Sequence, residues 1–534
     1  MNPKFIFSPF ADLSLITYIY YRKYLYMNKK ILLFIFFILF FKQIKAQNEF
    51  ITVWKPNLQP LNSVAIDAPV QAGVNEIWFP GIGDNYTITW EEVNYPQHNG
   101  TMTNITSTKQ VLINFGTPLN PIPANATYKV KASNGNGLFR QIQFGSNIGN
   151  SWTDNGNIDR ILEIAQWGNI QWTSMKGAFA NCSSLQLTAS DAPDLSVVTD
   201  ASYMFYNMKQ FTGNPSMDTW NTSSIINFEY MFAGPPFSIQ DQFDAPIGSW
   251  NTSAAENFSY MFYNNKKFNQ NLNNWNTSNV TNMAYMFAET LNFNQPLNNW
   301  NTSNVTNMTF LFHFNPNFNQ PLNNWNISNA TDISHMFHGC SAFNQPLDSW
   351  QTNKVTTINT MFTGASHFNQ NLENWNLPLL TDAHSVFSNS GINCTNYSKI
   401  LSGWAMNPNT AYNINLGPLQ PLSYSQDVVD KRNILIGKGW TFTYDLPGDC
   451  RVLSVSDSHL KESGSIYPNP AHQSIFIRNM PEVISYIILD ASGRVIVKDS
   501  TKGDRINVES LLPGNYILQF ISKEKIRSFK FVKK

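Results

Sequence analysis

The stretch Trp275–Phe287, WNTSNVTNMAYMF, returns as WNTSNVTNMTFLF at Trp300–Phe312 and as WNISNATDISHMF at Trp325–Phe337. Its closing phenylalanine occurs nine times, and the last six copies are 25 residues apart. These nine positions are Phe179, Phe205, Phe232, Phe262, Phe287, Phe312, Phe337, Phe362 and Phe387. Tryptophan stands twelve residues before each of them except Phe205, where Pro193 takes its place. A period of this length predicts a repeat architecture, in which units stack because none can bury its apolar face alone.

Each 25-residue unit combines a helix-like pattern with a strand-like one. Val280, Met283 and Phe287 fall on one face of a helix, and Met286 joins them. The segment Phe293–Leu297 that follows, FNQPL, alternates like a short extended segment. We therefore predict a leucine-rich-repeat-like solenoid of nine coils over residues 167–390, with a short strand and a short helix in each coil.

The sequence on either side of the repeats indicates β-sandwiches. Between residues 48 and 165, runs of aromatic and β-branched residues alternate with clusters of Gly, Pro and Asn. After residue 390 the repeat register fails, which predicts a cap over 391–450, a polar linker over 452–464 and a second β domain over 465–534. Together these regions predict a β-rich multidomain chain, in which N-terminal and C-terminal β-sandwiches flank the solenoid.

The repeats resemble the BspA-type bacterial surface leucine-rich repeats. The first copy, Met175–Leu187, carries the AFxxCxxL form of that family around Phe179 and Cys182. The resemblance implies a right-handed solenoid exposed at the cell surface, with roles in adhesion and protein contact. Residues 48–165 resemble the PKD-like domain that precedes such repeats, although WEEV at Trp90–Val93 replaces the usual WGDG.

The last 70 residues resemble the type A C-terminal sorting domain of the type IX (Por) secretion system of Bacteroidota. The resemblance rests on the order YPNP, DxxGR and LPxGxY, whose key positions are Tyr467, Pro468, Asn469, Pro470, Gly493, Leu512, Pro513, Gly514 and Tyr516. It implies that the tail is an export address, read by the type IX machinery and cleaved at the outer membrane. A generic Ig-like adhesion domain is the alternative.

The N-terminal sequence predicts a signal peptide over residues 27–46. Lys29 and Lys30 precede an apolar run over 31–41, and a small residue, Ala46, precedes Gln47 at the expected cleavage site. The run is shorter than the ~20 residues that span a bilayer, so we expect no transmembrane segment in the mature chain. We interpret residues 1–26 as an upstream extension, and an N-terminal membrane anchor is the alternative. The expected location is extracellular or on the outer-membrane surface, after passage through the periplasm.

Composition and motifs favour binding over catalysis. The chain has 35 basic and 35 acidic residues, so no net charge attracts it to nucleic acid. No HExxH, GxSxG, Walker A or CxxC motif occurs, and a repeat places like groups in rows, whereas catalysis needs unlike groups in one pocket. We expect no enzyme activity and no cofactor. A catalytic site within residues 48–165 is the alternative.

The four cysteines fall into two pairs with different expectations. Cys182 and Cys340 occupy the same slot six coils apart, roughly 30 Å at the spacing of stacked strands. Bridged α-carbons lie within about 7 Å of each other, so we expect these two thiols to be free and buried. Cys394 and Cys450 bracket the predicted cap, and a disulfide between them is left open.

Three histidines recur near one another in the repeat register. His313 and His338 fill equivalent slots of neighbouring coils, and His335 precedes His338 by one predicted helical turn. Packed helices are about 8–10 Å apart, which is too far for shared ligation, and other coils carry tyrosine in the His335 slot. We therefore interpret the histidines as substitutions in a half-exposed aromatic slot and expect no metal site.

One asparagine series is the candidate binding site. We expect Asn269, Asn294, Asn319, Asn344 and Asn369 to form a ladder on the strand face, with the adjacent glutamines pointing the other way. The amides either satisfy one another between coils or present an uncharged surface to glycans or extended proteins. The loop Gly234–Phe243, which lengthens one coil, is a second candidate contact.

These features predict a secreted or cell-surface binding or adhesion protein that contacts host or environmental proteins or glycans. The alternative is a structural spacer or matrix component of the cell surface without a specific ligand. A glycan hydrolase would need convergent carboxylates, which the repeats hardly offer.

Overall fold

The computed structural model describes residues 48–58, 68, 70–148, 151–234, 243–419, 422–448, 450, 465–478, 485–490, 494–500, 503–521 and 526–534. The chain divides into two compact units, Met1–Asp449 and Cys450–Lys534. The predicted upstream extension, signal peptide, cleavage site Ala46–Gln47 and linker lie outside the described residues, as do residues 235–242 of the long loop. The domain boundaries drawn from the sequence remain predictions.

The described residues form 22 β-strands and two α-helices, most of them short. The first unit contains β1 (Phe50–Trp54), β2 (Glu76–Phe79), β3 (Gly81–Glu92), β4 (Tyr95–Ser107), β5 (Val111–Asn114), β6 (Tyr128–Ser133), β7 (Leu138–Ile142), β8 (Gly145–Ile148), β9 (Ser151–Asp154), β10 (Ile161–Gln166), β11 (Gln186–Leu187), α1 (Cys394–Met406), β12 (Asn415–Pro418), β13 (Ser423–Ser425), α2 (Val429–Gly437), β14 (Thr441–Thr443) and β15 (Leu446–Gly448). The second contains β16 (Ser465–Tyr467), β17 (Ser474–Arg478), β18 (Ser485–Asp490), β19 (Val495–Ser500), β20 (Arg505–Asn507), β21 (Gly514–Ile521) and β22 (Ile526–Lys533).

The N-terminal part of the first unit is built on one seven-stranded sheet. Its strand order is β11-β10-β1-β6-β3-β4, β7 pairs with β3, and β2–β5 and β8–β9 form separate two-stranded sheets. In β1 the alternate residues Phe50, Thr52 and Trp54 are buried, as the two-residue period of a strand requires. Phe50 packs on Trp172 with ring centroids 5.0 Å apart. The N-terminal sheet and the first repeat therefore share one hydrophobic core.

The predicted leucine-rich-repeat-like solenoid is wrong. The β structure is divided among several separate sheets, and no helix or strand occurs between Trp220 and Asn393 in the described part of the chain. Each repeat is instead a series of turns, and an isolated parallel β-bridge pairs it with the next repeat, alongside further backbone hydrogen bonds. These bridges link Asp200, Asn227, Asn257, Asn282, Asn307, Asp332, Thr357 and Asp382 in succession. The β-rich character of the chain agrees with the prediction, but the helix-and-strand coil does not.

Hydrogen bonding between repeats explains why the predicted helix does not form. The N–H groups of Met283, Tyr285 and Phe287 donate to carbonyl oxygens of the next repeat at 3.0 Å each. An α-helix would need the same N–H groups to bond four residues back along the chain. Tyr285 also has φ of +58°, a left-handed conformation that a right-handed helix does not contain. The apolar spacing is therefore satisfied by turns that bond to their neighbours.

The predicted strand is likewise an extended segment without a backbone ladder. Phe293 and Leu297 are buried, as alternation predicts. The N–H of Asn294, between them, donates to Oδ1 of Asn269 at 3.1 Å. A side-chain amide thus takes the place that a neighbouring strand's carbonyl would have in a sheet.

The interior of the repeats consists of continuous aromatic rows. Phe312 is fully buried and stacks on Phe287 and Phe337 at centroid distances of 5.7 and 5.8 Å. The buried tryptophans form a second row, in which Nε1 of Trp300 donates to the carbonyl oxygen of Leu272 at 2.9 Å. From Trp250 to Trp375 the indole Nε1 atoms all donate to a carbonyl oxygen of the preceding repeat, whereas those of Trp167 and Trp220 have no partner among the described residues. Cys182 and Cys340 are buried and free, which confirms the prediction for these two thiols.

The first unit ends in the two helices and two small parallel sheets, β12–β14 and β13–β15. Trp404 of α1 stacks on Phe387 at 6.2 Å and so extends the aromatic rows beyond the last repeat. Asp445 is buried and accepts hydrogen bonds from Arg432 at 2.7 and 2.9 Å and from the Tyr397 hydroxyl at 3.0 Å. Removing one partner of such a buried pair is costly, so this network holds the end of the unit together. Cys394 and Cys450 are both disulfide-bonded.

The second unit contains a three-stranded sheet, β16-β17-β20, and a four-stranded sheet, β19-β18-β21-β22. Its own core includes Ile475, Ile488, Leu518 and Phe531, all at most 1% exposed.

Candidate functional site

The asparagine series predicted from the sequence forms a hydrogen-bonded row, which we call the amide row. The Oδ1 atom of each member accepts the backbone N–H of the residue that holds the same place in the next repeat. The donors after Asn269 are Asn294, Asn319, Asn344, Asn369 and Asn393, at 2.9 to 3.1 Å. Asp244 begins the row, because its Oδ1 accepts the N–H of Asn269 at 2.9 Å.

The adjacent glutamines do not point away from the row, as the alternation of a strand predicted. Nε2 of Gln320 donates to Oδ1 of Asn294 at 3.0 Å, and Nε2 of Gln345 donates to Oδ1 of Asn319 at 2.9 Å. Each of these oxygens therefore accepts two donors, which uses its two lone pairs. The glutamines turn back because the segment has no ladder that would hold its side chains on alternate faces.

The Nδ2 atoms of the amide row keep their capacity to donate hydrogen bonds. Within the described part of the chain, the Nδ2 groups of Asn294, Asn319 and Asn344 make no hydrogen bond. Asn344 is exposed and the other two are half-buried. The row therefore presents uncharged N–H donors, one from each successive 25-residue repeat.

A second row was recognised in the sequence only as a half-exposed aromatic slot. Its rings stack face to face with centroids 4.0 to 4.8 Å apart, along Tyr203, Tyr230, Tyr260, Tyr285, Phe310 and His335. Burial raises the pKa of Tyr285 to about 12 and also raises the pKa of Tyr230 and of Tyr260, so these tyrosines are uncharged at neutral pH.

The three histidines come together at the end of that row. The ring centroids of His313 and His338 are 4.7 Å apart, and His335 lies 5.8 Å from His338 and 6.3 Å from His313. The separation of 8–10 Å expected for packed helices does not apply, because the repeats contain turns and not helices. All three rings are partly buried, and the Nδ1 atom of each has no hydrogen-bond partner among the described residues.

Burial keeps these imidazoles neutral. It lowers the pKa of His313 to about 3, helped by the neighbouring His338 and His335. It also lowers the pKa of His335 and of His338, although Asp332 and Asp382 act in the opposite direction on His335.

The lowered pKa values predict that acid destabilises the repeats. Histidine in the unfolded chain has a pKa near 6.5. Below that pH the unfolded chain therefore binds protons that the folded cluster does not bind, and the free energy of unfolding falls as the pH falls. We expect the urea midpoint to drop between about pH 7.5 and about pH 5, and to drop less for His313→Ala, since Ala288 fills that slot in the preceding repeat. The exposed His384, changed to Gln, is the control. An equal pH response of His313→Ala and the wild type would contradict the prediction.

The described motif positions of the tail lie in or next to the strands β16 and β21. Asn469 donates from Nδ2 to the carbonyl oxygen of Lys530 at 3.0 Å and accepts the N–H of Val532 at 2.9 Å, which fastens it to β22. The Tyr516 hydroxyl donates to the carbonyl oxygen of Leu512 at 2.8 Å. Tyr467 ends β16, Pro468 and Pro470 follow it, Pro513 and Gly514 lead into β21, and Gly493 lies outside the described residues.

Comparison with protein families identifies two regions of the chain. Residues 465–534 match the secretion system C-terminal sorting domain. Residues 173–299 and 291–404 match the family described as "Mycoplasma protein of unknown function, DUF285". The predicted sorting domain is therefore confirmed, and it indicates export to the cell surface or the extracellular space by the type IX machinery. The BspA-type resemblance of the repeats is not supported by these matches. No curated protein and no solved structure matches the chain.

Neither helix in the described part of the chain has the length and apolarity needed to cross a bilayer.

Proposed function

We propose that this exported protein binds an extended extracellular polymer, a glycan or a protein segment, through the amide row of its repeats. The observation that carries the proposal is the row of unpaired Nδ2 donors at a constant interval. A polymer with regularly spaced hydroxyl or carbonyl oxygens can accept from several of these donors at once. The Oδ1 atoms already hold each amide in place through two hydrogen bonds, so little side-chain entropy is lost on binding.

Binding without catalysis is the function that these groups support. Within the described residues the row offers one kind of group, repeated, and an acid, a base and a nucleophile do not converge there. In this proposal the protein acts at the outer-membrane surface or in the surrounding medium, after export through the periplasm.

A structural role is the second candidate, and one observation favours it. Every Oδ1 of the row is already used to join one repeat to the next. A spacer or matrix component would need the row for this purpose alone.

Three Asn-to-Asp substitutions separate the two roles. A carboxylate keeps the oxygen that accepts from the next repeat but removes the Nδ2 donor, and Asp244 already does this at the start of the row. We expect Asn294→Asp, Asn319→Asp and Asn344→Asp together to weaken binding at least about 10-fold, since each hydrogen bond contributes roughly 0.5–1.5 kcal/mol. The measurement is binding of the mature chain to a panel of glycans and extracellular proteins.

The matched control places the same three charges on another row. Asn276, Asn301 and Asn326 are exposed, and their Oδ1 atoms bond only within their own repeat. Their Asp variants should bind as the wild type does. Equal loss in both triple variants would assign the effect to charge and contradict the proposal. A panel without any binding partner would favour the spacer.

A further inference from the structure

We propose that His313, His335 and His338 bind one divalent transition-metal ion of the zinc type, across the contact between two neighbouring repeats. One ring nitrogen from each of the three lies within 4.8 Å of the others. In a tetrahedral zinc site the Zn–N distance is about 2.0–2.1 Å, which places ligand nitrogens about 3.4 Å apart. Small rotations of the three side chains therefore close the site. The inference is independent of polymer binding by the amide row.

The backbone that carries the histidines is already fixed by hydrogen bonds. The N–H of His313 donates to Phe310 at 3.1 Å, and its carbonyl oxygen accepts from Glu289 at 2.7 Å. The N–H of His338 donates to the carbonyl oxygen of His335 at 3.1 Å, and the carbonyl oxygen of His338 accepts from the N–H of Phe314 at 2.7 Å. Only side-chain torsions are left to adjust, so binding an ion costs little reorganisation.

The ring nitrogens have unused bonding capacity. Buried polar atoms are nearly always paired, yet the Nδ1 atoms of all three rings lack a partner among the described residues. Three such atoms in one place indicate a ligand that accepts lone pairs. The lowered pKa values keep the imidazoles neutral, which is the form that binds metal.

The surroundings favour imidazole coordination by a zinc-like ion over calcium or magnesium. The cluster supplies nitrogen ligands, whereas the hard cations prefer oxygen. The nearby thiol of Cys340 is turned away, since its Sγ donates to the carbonyl oxygen of Phe312 at 2.9 Å. Three protein ligands leave a fourth coordination position for water or an outside ligand.

Aromatic rings shield the cluster on two sides. Phe310 stacks on His335 at 4.0 Å, and Phe314 lies 4.3 Å from His313 and 4.8 Å from His338. Gly339 makes room for Phe314, because a Cβ at this position would lie 2.3 Å from its ring. A low-dielectric wall of this kind strengthens the bond between an ion and its ligands.

An ion bound to the cluster would connect two neighbouring repeats. His313 belongs to one repeat, and His335 and His338 belong to the next. An ion held by all three ties the two repeats together. Because it binds the folded and not the unfolded chain, it raises the stability of that contact.

The test is zinc binding by the full mature chain after treatment with a chelator. We expect calorimetry to show one Zn²⁺ per chain, Co²⁺ to give the visible absorption of a four-coordinate site, and Zn²⁺ to raise the melting temperature. His335→Phe and His338→Thr should each weaken affinity by more than about 100-fold, since even groups outside the ligand shell contribute about 10- to 100-fold. Phe310 and Thr363 fill these two slots in adjacent repeats, so both replacements suit the local fold.

The control variant carries His367→Gln and His384→Gln, which remove two exposed histidines outside the cluster. It should keep the affinity of the wild type, and both cluster variants should melt as the wild type does without metal. Absence of zinc binding in the micromolar range would overturn the proposal. Equal affinity of the wild type and both cluster variants, or equal loss in the control, would overturn it as well.

Discussion

Replacing Phe312 with alanine is expected to lower the free energy of unfolding by about 4 kcal/mol, within the 3–5 kcal/mol range of buried phenylalanines. Phe312 has no exposed surface. Besides the rings of its own row, it packs against Phe318 and Trp325, with ring centroids 3.9 and 6.2 Å away. The neighbouring rings are held by their own repeats and cannot collapse into the space. The cavity therefore remains, and the variant loses the full stabilisation of the buried ring.

Urea unfolding of the mature chain, followed by tryptophan fluorescence, measures this effect. Repeats are coupled only to their neighbours, so we also expect the cavity to weaken cooperativity across the middle of the array. Phe314, two residues later in the same repeat, is 47% exposed and provides the matched control. Its alanine variant should change stability by only about 0.5 kcal/mol, as exposed substitutions usually do. Equal effects of the two variants would mean that the aromatic row does not carry the stability.

Deletion of residues 465–534 is expected to abolish delivery of the protein to the cell surface and the medium. The deleted segment is the whole sorting domain. It forms its own compact unit with its own core, so its removal leaves the core of the first unit complete. The effect should therefore be a loss of export and not a loss of folding.

Immunodetection of the protein in surface, medium and cell fractions measures this result. The matched control deletes Trp300–Asn324, which is one 25-residue repeat and keeps the register of the others. That variant retains the tail and should be exported. Protein that still reached the surface without its tail would show that the sorting domain is dispensable.

The buried rows of the repeats could be predicted from the sequence because their spacing is constant. Phe287, Phe312 and Phe337 return every 25 residues and stack on one another, and Trp300 stacks on Trp325. The tail could be recognised because YPNP and LPxGxY occur in a fixed order. The amide row also followed from its period, although the direction of its glutamines did not.

The helix was predicted wrongly because apolar spacing does not determine hydrogen bonding. Val280, Met283 and Phe287 are buried, as a helical face would be. Turns that bond to the next repeat bury the same three side chains. The expected separation of the histidine rings was wrong for the same reason, since it was taken from helix packing.

The sequence by itself determined the period of the repeats, the residues that form their interior and the export signal at the C-terminus. Like residues at a constant interval must meet when units stack, whatever the backbone does between them. Only the tertiary structure decided what the backbone does, because the N–H of Tyr285 has two possible acceptors, four residues back or in the next repeat. The hydrogen bonds to the next repeat bring neighbouring turns to stacking distance. They also bring together the imidazoles of His313, His335 and His338.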